Sequence, residues 1–200
     1  MNDSPSSVRR RLRAARRALS AAQQREHATA AARLLMRSPM LRHARRVALY
    51  WAADGELDPQ PLVQRMPGRK RRWYLPVLRR HALGRLWFMR YTNNDRLRAN
   101  RLGIPEPTRR KRRITAAQAL DLILMPLVGF DNDCNRIGMG AGYYDRSLGF
   151  LRYRSHWRRP LLIGLAHECQ RLDRIEPHPW DVPLDAVVTE ARIYVRAARD

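Results

Sequence analysis

Lysine is nearly missing from this 200-residue chain: Lys70 and Lys111 are the only two, and the other 38 of its 40 basic residues are arginine. Acidic residues are scarce as well, 18 in all, which leaves a formal net charge of +22. Cysteine is limited to Cys134 and Cys169, far apart and with no third nearby, which excludes a disulfide framework and a zinc knuckle and fits a reducing compartment. No apolar run is long enough to cross a membrane; even Leu120 to Phe130 is interrupted by Asp121 and Pro126. The N-terminus lacks the apolar core of a secretory signal, so the expected location is the cytoplasm.

What is present is enough apolar sequence, 44% of residues, to build a core, and the length suits one domain over residues 1–200. Arginine stays ionised and grips phosphate or carboxylate through two parallel hydrogen bonds, which points to a polyanionic partner. Nucleic acid, a nucleotide and a multiply acidic metabolite all fit; so does an arginine-rich composition that has simply replaced surface lysines.

Apolar residues at Val8, Leu12, Ala15 and Leu19 form one helical stripe with arginines on the remaining faces. Ser20 with Gln23 is a capping-box pattern opening a second helix through Ala28, Ala31 and Leu35, stopped by Pro39. Strands are expected at Arg46–Trp51, Arg72–Val77, Leu86–Tyr91, Asp121–Val128, Leu161–Ala166 and Asp185–Thr189, with a short helix from Asp58 through Met66. Runs such as LILMPLV and LLIGLA lack polar alternation and suit strands buried on both faces. The expected fold is therefore α/β: a three-layer sandwich with a mostly parallel central sheet and an N-terminal helical pair. Asn93 to Arg113, with Gly103, Pro105, Pro107 and the RRKRR run from Arg109, reads as loop.

The most informative segment is R-I-G-M-G-A-G-Y-Y-D-R, Arg136 to Arg146, between an expected buried strand and an expected helix from Tyr143 to Leu151. Glycines at 138, 140 and 142 let backbone N–H groups converge on one point beside a helix start, an arrangement suited to phosphate. Arg136 and Arg146 are placed to clamp anionic oxygens, and Asp145 supplies a hard oxygen ligand for phosphate-bound Mg²⁺. The pattern is neither a P-loop nor a dinucleotide fingerprint, and a tight structural turn is the other reading.

Together with D-L-I-L-M-P-L-V-G-F-D (Asp121 to Asp131), this segment resembles the signature of the 5-formyltetrahydrofolate cyclo-ligase (methenyltetrahydrofolate synthetase) family. Val47–Asp58, Tyr74–Val77, Gly103–Pro107, Ile163–Gln170 and Trp180–Glu190 resemble further family segments in the expected order. The resemblance implies an α/β sandwich fold and ATP- and Mg²⁺-dependent closure of 5-formyltetrahydrofolate to 5,10-methenyltetrahydrofolate. It also implies transfer of the γ-phosphoryl group to the formyl oxygen and attack by N10. By similarity Arg9, Arg136, Ile137, Gly138, Met139, Gly140, Ala141, Gly142, Tyr143 and Tyr144 wrap ATP. Trp51, Glu56 and the stretch Met139, Gly140, Ala141, Gly142 and Tyr143 meet the folate. Arg136, Tyr144 and Asp145 are the implied catalytic residues, and Asp145 and Asp181 the implied magnesium carboxylates.

Two positions depart from the family pattern: Pro5 stands where a lysine or arginine is common, and Cys134 where a glycine is common. They bear on nucleotide affinity and on the aim of the loop entrance. On the residues alone, Asp145 is also a favourable acid at a helix start, Asp181 a turn residue, Glu56 a solvated loop acid and Trp51 a core residue. The six histidines show no ligand spacing and read as surface or satisfied core. Expected partners are ATP and 5-formyltetrahydrofolate, glutamylated forms included, with no membrane and a monomeric chain. A rival reading keeps the fold but uses RRKRR and the N-terminal arginines on nucleic-acid phosphates; no basic patch interleaved with aromatics supports it.

Overall fold

The computed structural model describes residues 4–66, 71–78, 84–100, 103–108, 114–153 and 159–197; RRKRR, His81 and His156 lie outside them. Helix α1 spans Pro5–Arg17, with Ser4 Oγ accepting from the Ser7 amide and Pro5 in the first turn, where a missing N–H leaves no bond unmade. The capping box opens α2, Ala21–Arg37: the Gln23 amide donates to Ser20 Oγ at 3.2 Å and the Ser20 amide to Gln23 Oε1 at 2.9 Å. Pro39 ends α2 and begins the single turn α3, Pro39–Arg42; α4 is Gln60–Arg65. Helix α5, Tyr143–Leu148, passes at Gly149 into a 3₁₀ turn, Gly149–Tyr153, so the helix expected through Leu151 changes hydrogen-bond pattern before its end.

The strands are β1 Arg46–Ala48, β2 Arg72–Leu78, β3 Leu86–Tyr91, β4 Leu97–Ala99, β5 Pro105–Pro107, β6 Ile114–Thr115, β7 Leu122–Pro126, β8 Gly129–Phe130, β9 Arg136–Ile137, β10 Leu161–Leu165, β11 Ala186–Val188 and β12 Ile193–Val195. Eight of them form one sheet in the order β12-β11-β10-β7-β1-β2-β3-β6. The five central strands, β11 to β2, are parallel, β12 and β3 run antiparallel to them, and β6 pairs antiparallel with β3 and so runs with the central five. The sheet is thus mostly parallel, as its uninterrupted apolar runs require. All six expected strands are present: β3 has the expected bounds, β2 runs one residue further, and the other four are shorter; β1 ends at Ala48, although the Leu49 amide still donates to Tyr74 O at 2.9 Å.

Asn93 to Arg113 is not simply loop, because β4 and β5 pair within it. Asn100 accepts the Ile104 amide at 3.1 Å and donates from Nδ2 to Glu106 Oε1 at 2.9 Å; Glu106 Oε1 also accepts the Leu78 amide at 2.8 Å. A side-chain scaffold thus replaces the hydrogen bonds that Pro105 and Pro107 cannot donate.

Alternate residues of each strand enter opposite layers. Val47, Leu75, Leu122, Leu124 and Ile163 pack with α2, α3 and α4 through Leu35, Leu41 and Leu62. Ala48, Tyr74, Ile123, Met125 and Leu162 pack with α5 through Leu148 and with Leu151 and Leu184. This is the three-layer arrangement. The chain moves from β1 to β2 on one side and from β7 to β10 to β11 on the other, so the sheet reverses direction between β1 and β7. In open parallel sheets a ligand crevice forms beyond the carboxyl ends of the strands at such a reversal. Trp51–Glu56 follows β1 there, and Leu127–Phe130 follows β7. No helix among the described residues is long and apolar enough to cross a membrane.

Candidate active site

One buried guanidinium closes the crevice. Arg16 of α1 has no exposed surface; its Nε donates to Asp54 O at 2.8 Å, its Nη2 to Asp54 Oδ2 at 2.9 Å and its Nη1 to Leu127 O at 3.2 Å. It therefore ties the segment after β1 to the segment after β7, across the reversal. Helix α1 can approach this closely because Leu12 lies over Gly129, where an added Cβ would stand 2.6 Å from the leucine methyl. The expected polar face of α1 is thus corrected: its deepest residues are Leu12 and an arginine, whose stem is packed and whose fork is saturated.

Asp54, in the left-handed region at φ 54, also accepts from Arg13 at 2.9 Å and from Arg17. Burial pushes its carboxyl up, but the hydrogen bonds from Arg13, Arg17 and Arg16 outweigh this and hold it below the ordinary carboxylate range. A carboxylate lowered in the folded state contributes stability above its ordinary pKa and loses it as pH falls through the lowered value. Urea unfolding is therefore expected to show wild type losing stability below about pH 4, with a shallower loss in Asp54→Asn. Equal slopes would detach Asp54 from the acid response.

Beside this cluster lies a cleft of about 320 Å³, lined by Gln24, the turn from Trp51 to Glu56, Asp58 and Gln60. Trp51 presents its ring edge-on to Tyr91, centroids 6.3 Å apart. Glu56 has a side chain only 13% exposed, accepts the Ala53 amide at 3.1 Å and lies 3.8 Å from Arg16 Nη2. Burial raises its pKa, and Asp58 is raised by burial too. Gln60 Nε2 is buried on the cleft wall with no acceptor among the described residues, which calls for one from a ligand.

The glycine loop leaves the hairpin of β8 and β9. Asp131, almost fully buried, accepts the amides of Asp133, Asn135 and Ile175 within 3.1 Å, and this fixes the turn. Cys134 occupies that turn at φ 60, a conformation that glycine adopts without cost and that the cysteine holds at a strain of about 1 kcal/mol. Its thiol is buried and pushed up to about 11, chiefly by burial, so it is unreactive at neutral pH. Gly140 and Gly142 take φ of 96° and 62°, and space is open around Gly138 and Gly140. Arg9 Nε donates to Gly138 O at 3.0 Å, so α1 reaches this loop as well.

Two arginines sit differently from the sequence expectation. Arg136, its side chain 7% exposed, turns inward, donating from Nη1 to Val182 O and from Nη2 to Asp145 Oδ1. Arg146 folds back on Ala141 O at 2.6 Å and over the Tyr143 ring. Neither clamps outward: Arg136 orients Asp145, and Arg146 closes the loop on itself. Tyr144 is the inward tyrosine; it packs on the lower core layer, and burial, with Glu56 nearby and Arg136 opposing, pushes its hydroxyl well above the ordinary range.

Asp145 Oδ1 also accepts the Val182 amide at 3.4 Å, which places it against the segment carrying Asp181. Asp181 Oδ2 accepts the His178 amide at 2.9 Å. Each carboxylate keeps one oxygen without a partner among the described residues, and a pair of hard oxygens on adjoining segments fits Mg²⁺. Sequence reasoning passed over Arg16, Asp54, Asp131 and Gln60. Asp54 before Gly55 carried a turn signal, but nothing in the helical stripe marked Arg16.

A parallel sheet whose reversal point holds a polar cleft beside an open glycine loop defines the class, an α/β enzyme that brings two ligands together. The sequence model of the 5-formyltetrahydrofolate cyclo-ligase family matches residues 2–190; the chain belongs to this family and is an enzyme of the ligase class. It is 39% identical over 183 residues to the 5-formyltetrahydrofolate cyclo-ligase of Escherichia coli (strain K12), covering 92% of this chain and 98% of that one. To the enzyme of the same name from Haemophilus influenzae it is 34% identical over 179 residues, 88% of this chain and 92% of that one. Its fold is similar to the NMR structure of Aquifex aeolicus 5,10-methenyltetrahydrofolate synthetase, with a TM-score of 0.80, 27% identity and coverage of 98% and 95%.

Proposed function

We propose that the chain converts 5-formyltetrahydrofolate to 5,10-methenyltetrahydrofolate with hydrolysis of ATP to ADP and phosphate. The observation that supports this reading is α1, which touches both places: Arg16 Nε donates to Asp54 O on the cleft turn and Arg9 Nε to Gly138 O on the glycine loop. Two ligands seated in these neighbouring places meet at their ends.

The chemistry needs that meeting. A formamide oxygen is a poor leaving group; when it attacks the γ-phosphorus, ADP departs and the formyl carbon becomes an iminium phosphate. N10 then attacks that carbon to close the ring and loses its proton to solvent, and the carbon–oxygen bond breaks so that phosphate leaves with the former formyl oxygen. Such a reaction is driven by positioning and charge neutralisation, which is why no nucleophile triad is required. In this reading Glu56 accepts pterin N–H groups, Gln60 donates its unpaired amide to the ring, and Trp51 walls the cleft. The amides from Gly138 to Gly142, with Arg9, hold the nucleotide phosphates. Tyr144 keeps its proton and donates to the developing phosphoryl oxygen. Asp145 and Asp181 would hold Mg²⁺, which when bound neutralises phosphate charge.

Mixing the protein with 5-formyltetrahydrofolate and Mg²⁺ is expected to produce the absorbance of the methenyl chromophore only when ATP is added. No band with intact folate binding would overturn the reaction. Glu56→Gln is expected to raise the KM for folate about tenfold with little change for ATP; the reverse pattern would move Glu56 out of the folate cleft.

A further inference from the structure

Two histidines 140 residues apart in sequence meet beneath the cleft loop, contrary to the expectation that the histidines share no site. His27 Nδ1 on α2 lies 3.0 Å from His167 Nδ1, just beyond β10, and 3.4 Å from Glu190 Oε1, just beyond β11. One ligand atom from each residue falls within 4.8 Å of the others.

Two arrangements are open to this group, a hydrogen bond between the two Nδ1 atoms or a shared cation. His167 Nε2 is 3.2 Å from Gly55 O, and a carbonyl only accepts, so His167 carries its proton on Nε2 and turns a lone pair on Nδ1 toward His27. Glu190 also turns lone pairs inward. A neutral His27 has at most one Nδ1 proton to divide between those two acceptors. A cation meets all three at once when the His27 proton sits on Nε2 instead.

We propose that His27, His167 and Glu190 form a binding site for a divalent transition-metal ion, Zn²⁺ being the natural occupant. Tetrahedral zinc with nitrogen and oxygen ligands separates its ligand atoms by about 3.3 Å, close to both measured separations. Two imidazoles and a carboxylate suit such an ion and not Mg²⁺, which takes oxygen. The outer partners of a metal site are in place as well. His167 gives its other N–H to Gly55 O, and the Glu168 amide donates to both oxygens of Glu190 at 3.1 Å, fixing the carboxylate plane. His167 is fully buried, whereas the side chains of His27 and Glu190 are 20% and 17% exposed, which leaves the remaining coordination position open to water. Bound there, the ion fastens α2 to the ends of β10 and β11 and, through His167, to the loop that carries Glu56. The site is independent of the reaction performed in the cleft.

The test is titration of the chelator-stripped full-length protein with Co²⁺, in excess Mg²⁺, followed by displacement with Zn²⁺. One equivalent of Co²⁺ is expected to develop the visible bands of a low-coordinate nitrogen and oxygen site, and Zn²⁺ to abolish them and raise the melting temperature. His27→Ala and Glu190→Gln are each expected to weaken the apparent affinity about tenfold or more. Glu190→Gln keeps an acceptor for the Glu168 amide, so it carries the comparison if His27→Ala fails to fold. No band at one equivalent, or a band of undiminished affinity in the folded variants, overturns the proposal; the latter would assign the ion to exposed histidines such as His43 or His178, and the group would be a core hydrogen-bond cluster.

Discussion

Arg16→Ala is expected to lower the free energy of unfolding by about 3–5 kcal/mol and to abolish turnover even at temperatures where the variant stays folded. The magnitude follows from what is stranded. The fully buried guanidinium is the donor to Asp54 O and shares Leu127 O with Gln170 Nε2 and Asp54 Oδ2 with Arg13; its removal leaves the Asp54 carbonyl without a donor, takes one bond and a neutralising charge from the other two, and opens a cavity the size of the lost side chain. The functional loss follows from position, because Arg16 holds the segments after β1 and β7 together and stands 3.8 Å from Glu56. Arg16→Lys keeps the charge but offers no planar fork, so it is expected to recover part of the stability while the KM for folate stays raised. Urea titration alongside steady-state kinetics reads both quantities. A loss below about 1 kcal/mol, the range of an exposed ion pair, would refute the keystone role.

Asp145→Asn is expected to cut turnover by about 10²-fold or more while changing stability little. Asparagine presents an oxygen to Arg136 Nη2 and the Val182 amide much as the aspartate does, so the local hydrogen bonds persist. What disappears is the negative charge, and with it both the proposed magnesium ligand and the neutralising partner of a nearly buried arginine. Asp145→Ala adds the loss of the hydrogen bonds and is expected to destabilise the fold as well. Near-wild-type turnover in Asp145→Asn would remove Asp145 from the metal site; a large fall in melting temperature in the same variant would make its role structural.

Much of this was legible in the sequence because local rules and tertiary structure agree. Ser20 and Gln23 announced a helix start, and uninterrupted apolar strands announced a sheet covered on both faces. Gly138, Gly140 and Gly142 announced an exposed turn. What stayed illegible depends on partners far away along the chain. Arg16 looks like any arginine of a basic helix until Leu127, 111 residues later, gives it a carbonyl. His27 and His167 have no shared spacing because different elements supply them. The β4–β5 pair was hidden by its prolines, since only the side chains of Asn100 and Glu106 make up for the missing donors. The outward reading of Arg136 failed because its nearest anion is Asp145, nine residues on.

Helix α1 precedes the other described elements in sequence and is among the last to find its place. Its anchors are the Asp54 turn, Leu127 O and Gly138 O, the last of them 129 residues downstream of Arg9. Contacts of such separation form late, after the chain between them is ordered. During synthesis this arginine-rich segment therefore waits, exposed, until the glycine loop has been made, and its docking brings together the two halves of the crevice. Completion of the crevice is thus coupled to synthesis of the glycine loop, and a nascent fragment that stops short of Gly138 lacks the last anchor of α1.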